Sequence, residues 1–250
     1  DAHGAWVEVD ERTAELVEAA LAYCAASYGV FDITVGSLSR LWNLKRGIIP
    51  DADTLAEAAR HVDCHGVQVD REGERVRVRL DDPLAMIDLG GIAKGWIADA
   101  LDSELAQAGI GAYVIDLGGN ILVRGSKPDG SLWTVGLPDP SCGAGAREAA
   151  RPVGTVKLAS GSVVTSGIYE RSCIRDGVRY HHVLDPKTGM PIEVEYPAVS
   201  VVCEKSIDAE GYSTTLLALG LEEGRKLAAE HPEILQAFFI TWNGEIHPLR

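Results

Sequence analysis

An apolar run that ends in Asp88-Leu89-Gly90-Gly91 and opens into Ile92-Ala93-Lys94-Gly95 constrains this chain more than any other stretch, because it orders a strand, a tight turn and a helix start. Glycines let a backbone approach a ligand closely and adopt positive φ. The first helical turn beyond them offers unpaired N–H groups at the positive end of the dipole. Such a turn suits a phosphate, with Lys94 adding a mobile positive charge. It is not a P-loop, since the glycine spacing is wrong and Gly95, rather than Ser or Thr, follows the lysine. Plain strand-to-helix geometry is the alternative reading of the same residues.

The flanking pattern gives Met86 to Leu89 as a buried strand, Ala93 to Ala108 as the longest helix and Ala112 to Asp116 as the next strand, one βαβ-like step. Upstream, Leu16, Val17, Ala20, Leu21 and Cys24 recur at helical spacing, so a helix capped near Thr13 runs to Ser27. Phe31 to Gly36 leaves it as a loop, and a short helix spans about Thr54 to Val62. Arg75 to Leu80 alternates and pairs with Gly66 to Asp70 as a hairpin. Beyond Gly118-Gly119, short runs at Ile121–Val123, Trp133–Leu137, Thr155–Leu158, Val163–Ser166, Tyr180–Leu184 and Ala198–Cys203 read as mainly antiparallel sheet. Two helices, Ala209 to Leu219 and Leu221 to Glu230, precede a last strand, Leu235 to Thr241. Strands segregated from helices favour α+β, and with no clear linker two lobes sharing a cleft are expected. The Gly- and Ala-rich stretch from Cys142 to Arg151 is the expected flexible loop.

With 250 residues, 46% of them hydrophobic, the chain can bury a full core. A net charge of −14 argues against nucleic acid, whose binding rests on Lys and Arg at phosphates. It also means that an anionic ligand needs help from a cation. Five dispersed cysteines without a Cys-x-x-Cys pair point to buried free thiols, not to zinc or a disulfide framework. No apolar run is long enough for a transmembrane segment. A start at Asp1 so close to a helical pattern leads us to expect preceding sequence, where any export signal would lie.

Four further clusters can carry chemistry. Thr165-Ser166-Gly167 closes an apolar strand, placing two hydroxyls and an N–H where ligand oxygens are often met; an ordinary turn is the alternative. His182-Val183-Leu184-Asp185-Pro186-Lys187-Thr188-Gly189 sets an imidazole, a carboxylate, a lysine and a hydroxyl across a strand and its turn. Asp116-Leu117-Gly118-Gly119-Asn120 repeats the composition of the first glycine turn. Glu210 and Thr214, four apart on one helix face, can share a hard cation such as Mg²⁺, against the alternative of a solvated face.

On these motifs, together with Phe31 to Gly36, Leu41-Trp42, Tyr169, Pro191 and Leu219-Gly220, the chain resembles the ApbE family of FAD:protein FMN transferases over nearly its whole length. The resemblance implies a single domain over 1–250, lacking the family's N-terminal strand region, with an α+β, T-fold-related, two-lobed architecture and a central FAD cleft. It also implies an Mg²⁺-dependent transferase that attaches FMN through a phosphoester to Ser or Thr of an acceptor protein and releases AMP. Some such proteins instead hydrolyse FAD to FMN and AMP. By motif position, Glu210, Thr214 and the Gly91 carbonyl take the metal ligands' places. Asp88, Lys94, Asp116, Asn120, Thr165, Ser166, Gly167, His182 and Thr34 fall where the family surrounds FAD, with His182 and Lys94 at the catalytic positions. Location outside the cytoplasm, as an exported or lipid-anchored protein, is a further implication.

Phosphoryl-type transfer needs positioning and charge neutralisation, which a divalent cation and one lysine can give an acidic protein. His182 can position or deprotonate the incoming hydroxyl, with a core histidine as the alternative. Departures from the family pattern stand at the site. Glu210 replaces the usual Asp, Gly211 loosens the helix start, Ile33 replaces a proline, and Ile168 replaces an acidic residue. A catalytically weakened FAD-binding protein of the same fold is therefore a second expectation.

Overall fold

A computed structural model describes residues 3–142 and 151–249, so the Gly- and Ala-rich loop expected after Cys142 lies outside the described residues up to Arg151. The elements run β1 (Val7–Val9), α1 (Glu11–Ala26), α2 (Gly36–Ser39), α3 (Ala52–Ala59), β2 (Val67–Glu72) and β3 (Arg75–Leu80). Next come α4 (Ala93–Gln107), β4 (Tyr113–Asp116), β5 (Asn120–Arg124), β6 (Trp133–Leu137), β7 (Gly154–Leu158) and β8 (Gly161–Gly167). The chain closes with β9 (Ser172–Arg175), β10 (Val178–His181), β11 (Ala198–Cys203), α5 (Ser206–Glu230), β12 (Gln236–Ile240) and β13 (Ile246–Pro248). Two units result. The first holds 1–90 and 171–192, and the second holds 91–170 and 193–250.

In the first unit, α1 begins one turn earlier than the apolar spacing predicts, because Asp10 is the cap: its carboxylate accepts from Thr13 N–H at 2.9 Å. Ala14, Val17, Ala20, Tyr23 and Cys24 are the buried positions of this helix. The expected hairpin is present as β2 and β3, turning at Gly73 with φ 64°, and β1 adds a third strand beside β3. The second expected helix starts at Ala52, capped by Asp51, and ends three residues early. A small core of Leu38, Leu55, Ala58 and Leu184 supports the 31–42 segment.

Met86 to Leu89 is not a buried strand. Met86 makes a single bridge to Val35, its N–H donates to Ser37 Oγ at 3.0 Å, and Asp88 N–H donates to Ile33 O at 2.7 Å. Its amides are thus committed to loop atoms, and no βαβ step forms; β4 pairs antiparallel with β5 instead. The expected strand at Tyr180 to Leu184 also shifts, to a β9–β10 hairpin.

The second unit centres on a six-stranded sheet, ordered β13-β12-β11-β8-β5-β4, in which every neighbouring pair is antiparallel. All six residues of β11 are buried. Successive side chains on a strand point to opposite faces, which sorts the sheet. Val123, Val163, Ala198 and Val202 pack with Val135, Leu137 and Val156 of the β6–β7 hairpin. The other face meets α4 and α5, where Ala98 packs on Leu122. The two expected C-terminal helices are one continuous run broken at Gly220, whose φ of 75° and ψ of −178° are not helical. Chain order, antiparallel sheets and segregated helices make the fold α+β.

Candidate functional site

The second unit's site is built where α4 and α5 come together. A Cβ at Gly95 would lie 2.6 Å from Ser206 O and 2.7 Å from Ile207 Cα, so only glycine permits this approach. One turn on, the Asp99 carboxylate accepts from the N–H groups of Ser206 (2.7 Å) and Ile207 (2.9 Å), capping α5 from a neighbouring helix. Burial pushes the Asp99 carboxyl up. Close helices and a fixed α5 start place Lys94 against Glu210, with Nζ 2.8 Å from Oε1.

The Glu210 carboxylate is 5% exposed and takes a second partner, the Asn120 amide, at 2.5 Å. Asn120 is fully buried and fixed in turn by Ser206 Oγ, which donates to its Oδ1 at 2.7 Å. Ser162 Oγ donates to Ser206 Oγ at 3.0 Å, completing a buried polar line from β8 to α4. Thr214, one turn along α5, bonds Ser166 Oγ at 3.0 Å, and Ser166 also meets Ser213 at 2.8 Å.

Thr165 and Ser166 do not act as one hydroxyl pair. Ser166 points to α5, whereas Thr165 bonds Ser200 Oγ at 2.7 Å and lines a cavity of about 270 Å³ on the opposite face, as strand alternation dictates. Asp116, Gly119, Ile121, Val163 and Tyr169 line that cavity too, along with Arg151. The Asp116 carboxylate accepts from Gly118 N–H at 2.9 Å. Gly167 ends β8 packed on the Tyr169 ring, where a Cβ would lie 2.5 Å from Cε1.

The first unit carries Asp88, Thr34 and His182. Asp88 is exposed and accepts from Ser39 Oγ at 2.8 Å and Gly90 N–H at 2.9 Å. Thr34 is fully buried, and both its N–H and hydroxyl donate to Asp32 Oδ1, so its oxygen serves a turn. His182 is exposed, with Nδ1 3.3 Å from Arg171 O. The core histidine is its neighbour: His181 is buried, bonds Ile192 O through Nε2 at 3.1 Å, and is held down at about 4 by burial. Asp185 to Gly189 is a packed turn, in which Gly189 O accepts from Trp42 Nε1 at 3.1 Å.

Sequence reasoning missed Asp99, Ser206, Ser213 and Ser162. Gly95 and Asp99 at i, i+4 form a small-plus-acid pair on one helix face, the signal that could have found the cross-helix cap.

Comparison with known proteins places the sequence and the fold. The ApbE family matches residues 1–239. An FAD:protein FMN transferase of Treponema pallidum (strain Nichols) is 37% identical over 248 residues, covering 94% of this chain and 67% of the relative. One from Klebsiella pneumoniae (strain 342) is 34% identical over 242 residues, covering 96% and 72%. Among solved structures, the ApbE protein of Thermotoga maritima MSB8 superposes with a TM-score of 0.82 at 33% identity, covering 97% of this chain and 77% of that one. The apo flavinyl transferase ApbE of Pseudomonas stutzeri gives 0.79 at 31% identity, covering 95% and 72%. This chain belongs to the ApbE family.

Proposed function

We infer that the protein is an FAD:protein FMN transferase that forms a phosphoester to a Ser or Thr of an acceptor protein and releases AMP. The observation that carries this reading is the enclosed Glu210 carboxylate, held between Lys94 and Asn120 with Thr214 one turn away. Relatives at 37% and 34% identity bear that enzyme name.

The carboxylate of Glu210 and the hydroxyl of Thr214 are hard oxygen donors on one helix face, which suits Mg²⁺, with the Gly91 carbonyl as third ligand. When bound, Mg²⁺ supplies charge neutralisation at a pyrophosphate and stabilises the leaving phosphate. Lys94 binds phosphate oxygen as a point charge. Asn120 holds Glu210 in place through one amide while Ser206 fixes the other end. Asp116 and Thr165 present a carboxylate and a hydroxyl to the cavity on the opposite sheet face, which takes part of FAD. Asp88, Ser166, Gly167 and Thr34 shape turns and strand ends, and His182, exposed and at the family's reacting-end position, is the group we assign to the proton of the attacking hydroxyl.

Incubation with FAD and Mg²⁺, with and without a Ser/Thr acceptor protein, tests the reading. AMP release with FMN becoming covalently attached to the acceptor is the expected result. AMP with only free FMN would make the protein a hydrolase, and FAD binding without AMP would make it a binding protein.

A further inference from the structure

Two cysteines of the first unit meet in space although 40 positions separate them. Cys24 lies in the last turn of α1 and Cys64 opens the short turn before β2. Their sulfurs, together with one carboxylate oxygen of Asp32, all lie within 4.8 Å of one another. The two thiols are hydrogen-bonded to each other, and Cys24 also accepts from Ile33 N–H. Cys24 is buried and Cys64 half-buried, so an incoming small molecule reaches Cys64 first.

A soft-metal site is the other chemistry such a trio could serve, and the carboxylate argues against it. Asp32 Oδ1 already accepts from Thr34 N–H at 2.7 Å and Thr34 Oγ at 2.6 Å, and Oδ2 accepts from Cys64 N–H at 3.0 Å. These three bonds hold the turn that brings Cys64 to Cys24. The acid is an organiser, and what it organises is a pair of thiols.

We propose that Cys24 and Cys64 form a reversible intramolecular disulfide, closed by exchange with a small-molecule disulfide such as oxidised glutathione. The Cys64 thiolate attacks one sulfur of that disulfide, releasing one thiol and forming a mixed disulfide. The Cys24 thiolate then attacks the Cys64 sulfur, releasing the second. The two protein thiols lose two electrons and two protons, and the glutathione disulfide gains them as two thiols. The sulfurs must close to about 2.05 Å, a movement within the reach of side-chain rotation and small backbone adjustment. Burial first, then the nearby Asp32 and Asp63 carboxylates, pushes Cys64 up to about 11, which leaves little thiolate at neutral pH and makes closure slow. Once formed, the bond ties the end of α1 to the turn before β2 and constrains the unfolded chain over a long loop.

The test treats the full reduced chain with oxidised glutathione in mildly alkaline buffer, then counts thiols and maps peptides. The expected result is one linked peptide pair joining Cys24 to Cys64, lighter by two hydrogens than the two separate peptides, whatever adduct the exposed Cys142 takes up. The oxidised form should melt higher by on the order of 5 °C, reversed by dithiothreitol. Cys64→Ala should abolish the internal link and the melting shift, and Cys24→Ala should strand the glutathione adduct on Cys64 with no melting shift, so either variant serves if the other folds poorly. Stable glutathione adducts on both cysteines, or a linkage through other cysteines, would overturn the proposal. So would stoichiometric Zn²⁺ binding to the reduced chain that each alanine variant removes, since the pair would then be a metal site.

Discussion

The tetrapeptide Asp-Leu-Gly-Gly occurs twice, at 88–91 and 116–119, and the two copies share one contact and then part. In each, the aspartate accepts from the N–H two residues on, Gly90 or Gly118, at 2.9 Å. In the second copy, Gly118 and Gly119 both adopt positive φ (74° and 94°), and Leu117 N–H donates to Asn120 O at 2.9 Å. That is a two-residue hairpin turn, and it delivers Asn120 at the start of a strand. In the first copy neither glycine has positive φ, and the chain enters α4 through Ile92. Identical residues set the local carboxylate turn, and the next few side chains decide the rest. Asn-Ile-Leu-Val continues as a strand with partners on both sides, while Ala-Lys-Gly-Trp continues as a helix. Both routes end on Glu210, one through Lys94 and the other through Asn120.

The widest break in this convergence is Glu210→Ala. It should abolish AMP release and cost about 2–4 kcal/mol of stability, because a buried amide and an ammonium lose their shared acceptor. Turnover assays and denaturant unfolding check both; retained AMP release would separate the carboxylate from the chemistry. Glu210→Asp sharpens the result, since a shorter arm must now reach both partners and should hold only one well.

Next in size, Lys94→Ala should weaken FAD binding by about 1.5–3 kcal/mol, if its bond to phosphate is charge-assisted, with the fold intact. Asn120→Ala should instead lower stability more than affinity, since Asn120 is fully buried. Calorimetry beside thermal melts distinguishes the two arms, and equal effects from both would erase the contrast.

The two turns themselves respond unequally to alanine. Gly118→Ala should cost about 1–2 kcal/mol for its left-handed backbone although its Cβ meets nothing. Gly90→Ala should cost under about 1 kcal/mol, since its Cβ meets only the movable Asp88 Oδ1 at 2.9 Å. Unfolding midpoints that reverse this order would show that the first turn is the more constrained.

The smallest effect concerns Asp99, downstream of the first turn only. Its folded carboxyl sits above the ordinary 3.8, so the folded state holds the proton longer than the unfolded chain. The stability it contributes is present below 3.8 and is lost as pH rises through the raised value. Asp99→Asn should flatten that decline in a pH series of unfolding midpoints, and an unchanged slope would assign it elsewhere.

Strand alternation and helix spacing in the sequence located α4, five of the six β-runs from Ile121 to Cys203 with small shifts, and the break before Leu221, because periodicity reports burial directly. It could not separate Met86 to Leu89 from a strand, since a short apolar run looks the same when its amides bond Ser37 and Ile33. Thr165-Ser166 looked like one double hydroxyl, yet alternation sends the two to opposite faces. The spacing of Glu210 and Thr214 was legible; the contacts of Glu210 with Lys94 and Asn120 were not, for they join residues 116 and 90 positions apart.

Gly220 does more than mark a bend. A helix that ran unbroken from Ser206 to Glu230 would fray from its exposed C-terminal end as one cooperative unit, and each excursion would tug on the first turns. The break divides it, so the 221–230 arm can exchange its amide hydrogens and reclose without disturbing the ladder beneath Glu210. Deuterium uptake should therefore step sharply at Gly220, with slow labelling before it and fast labelling after.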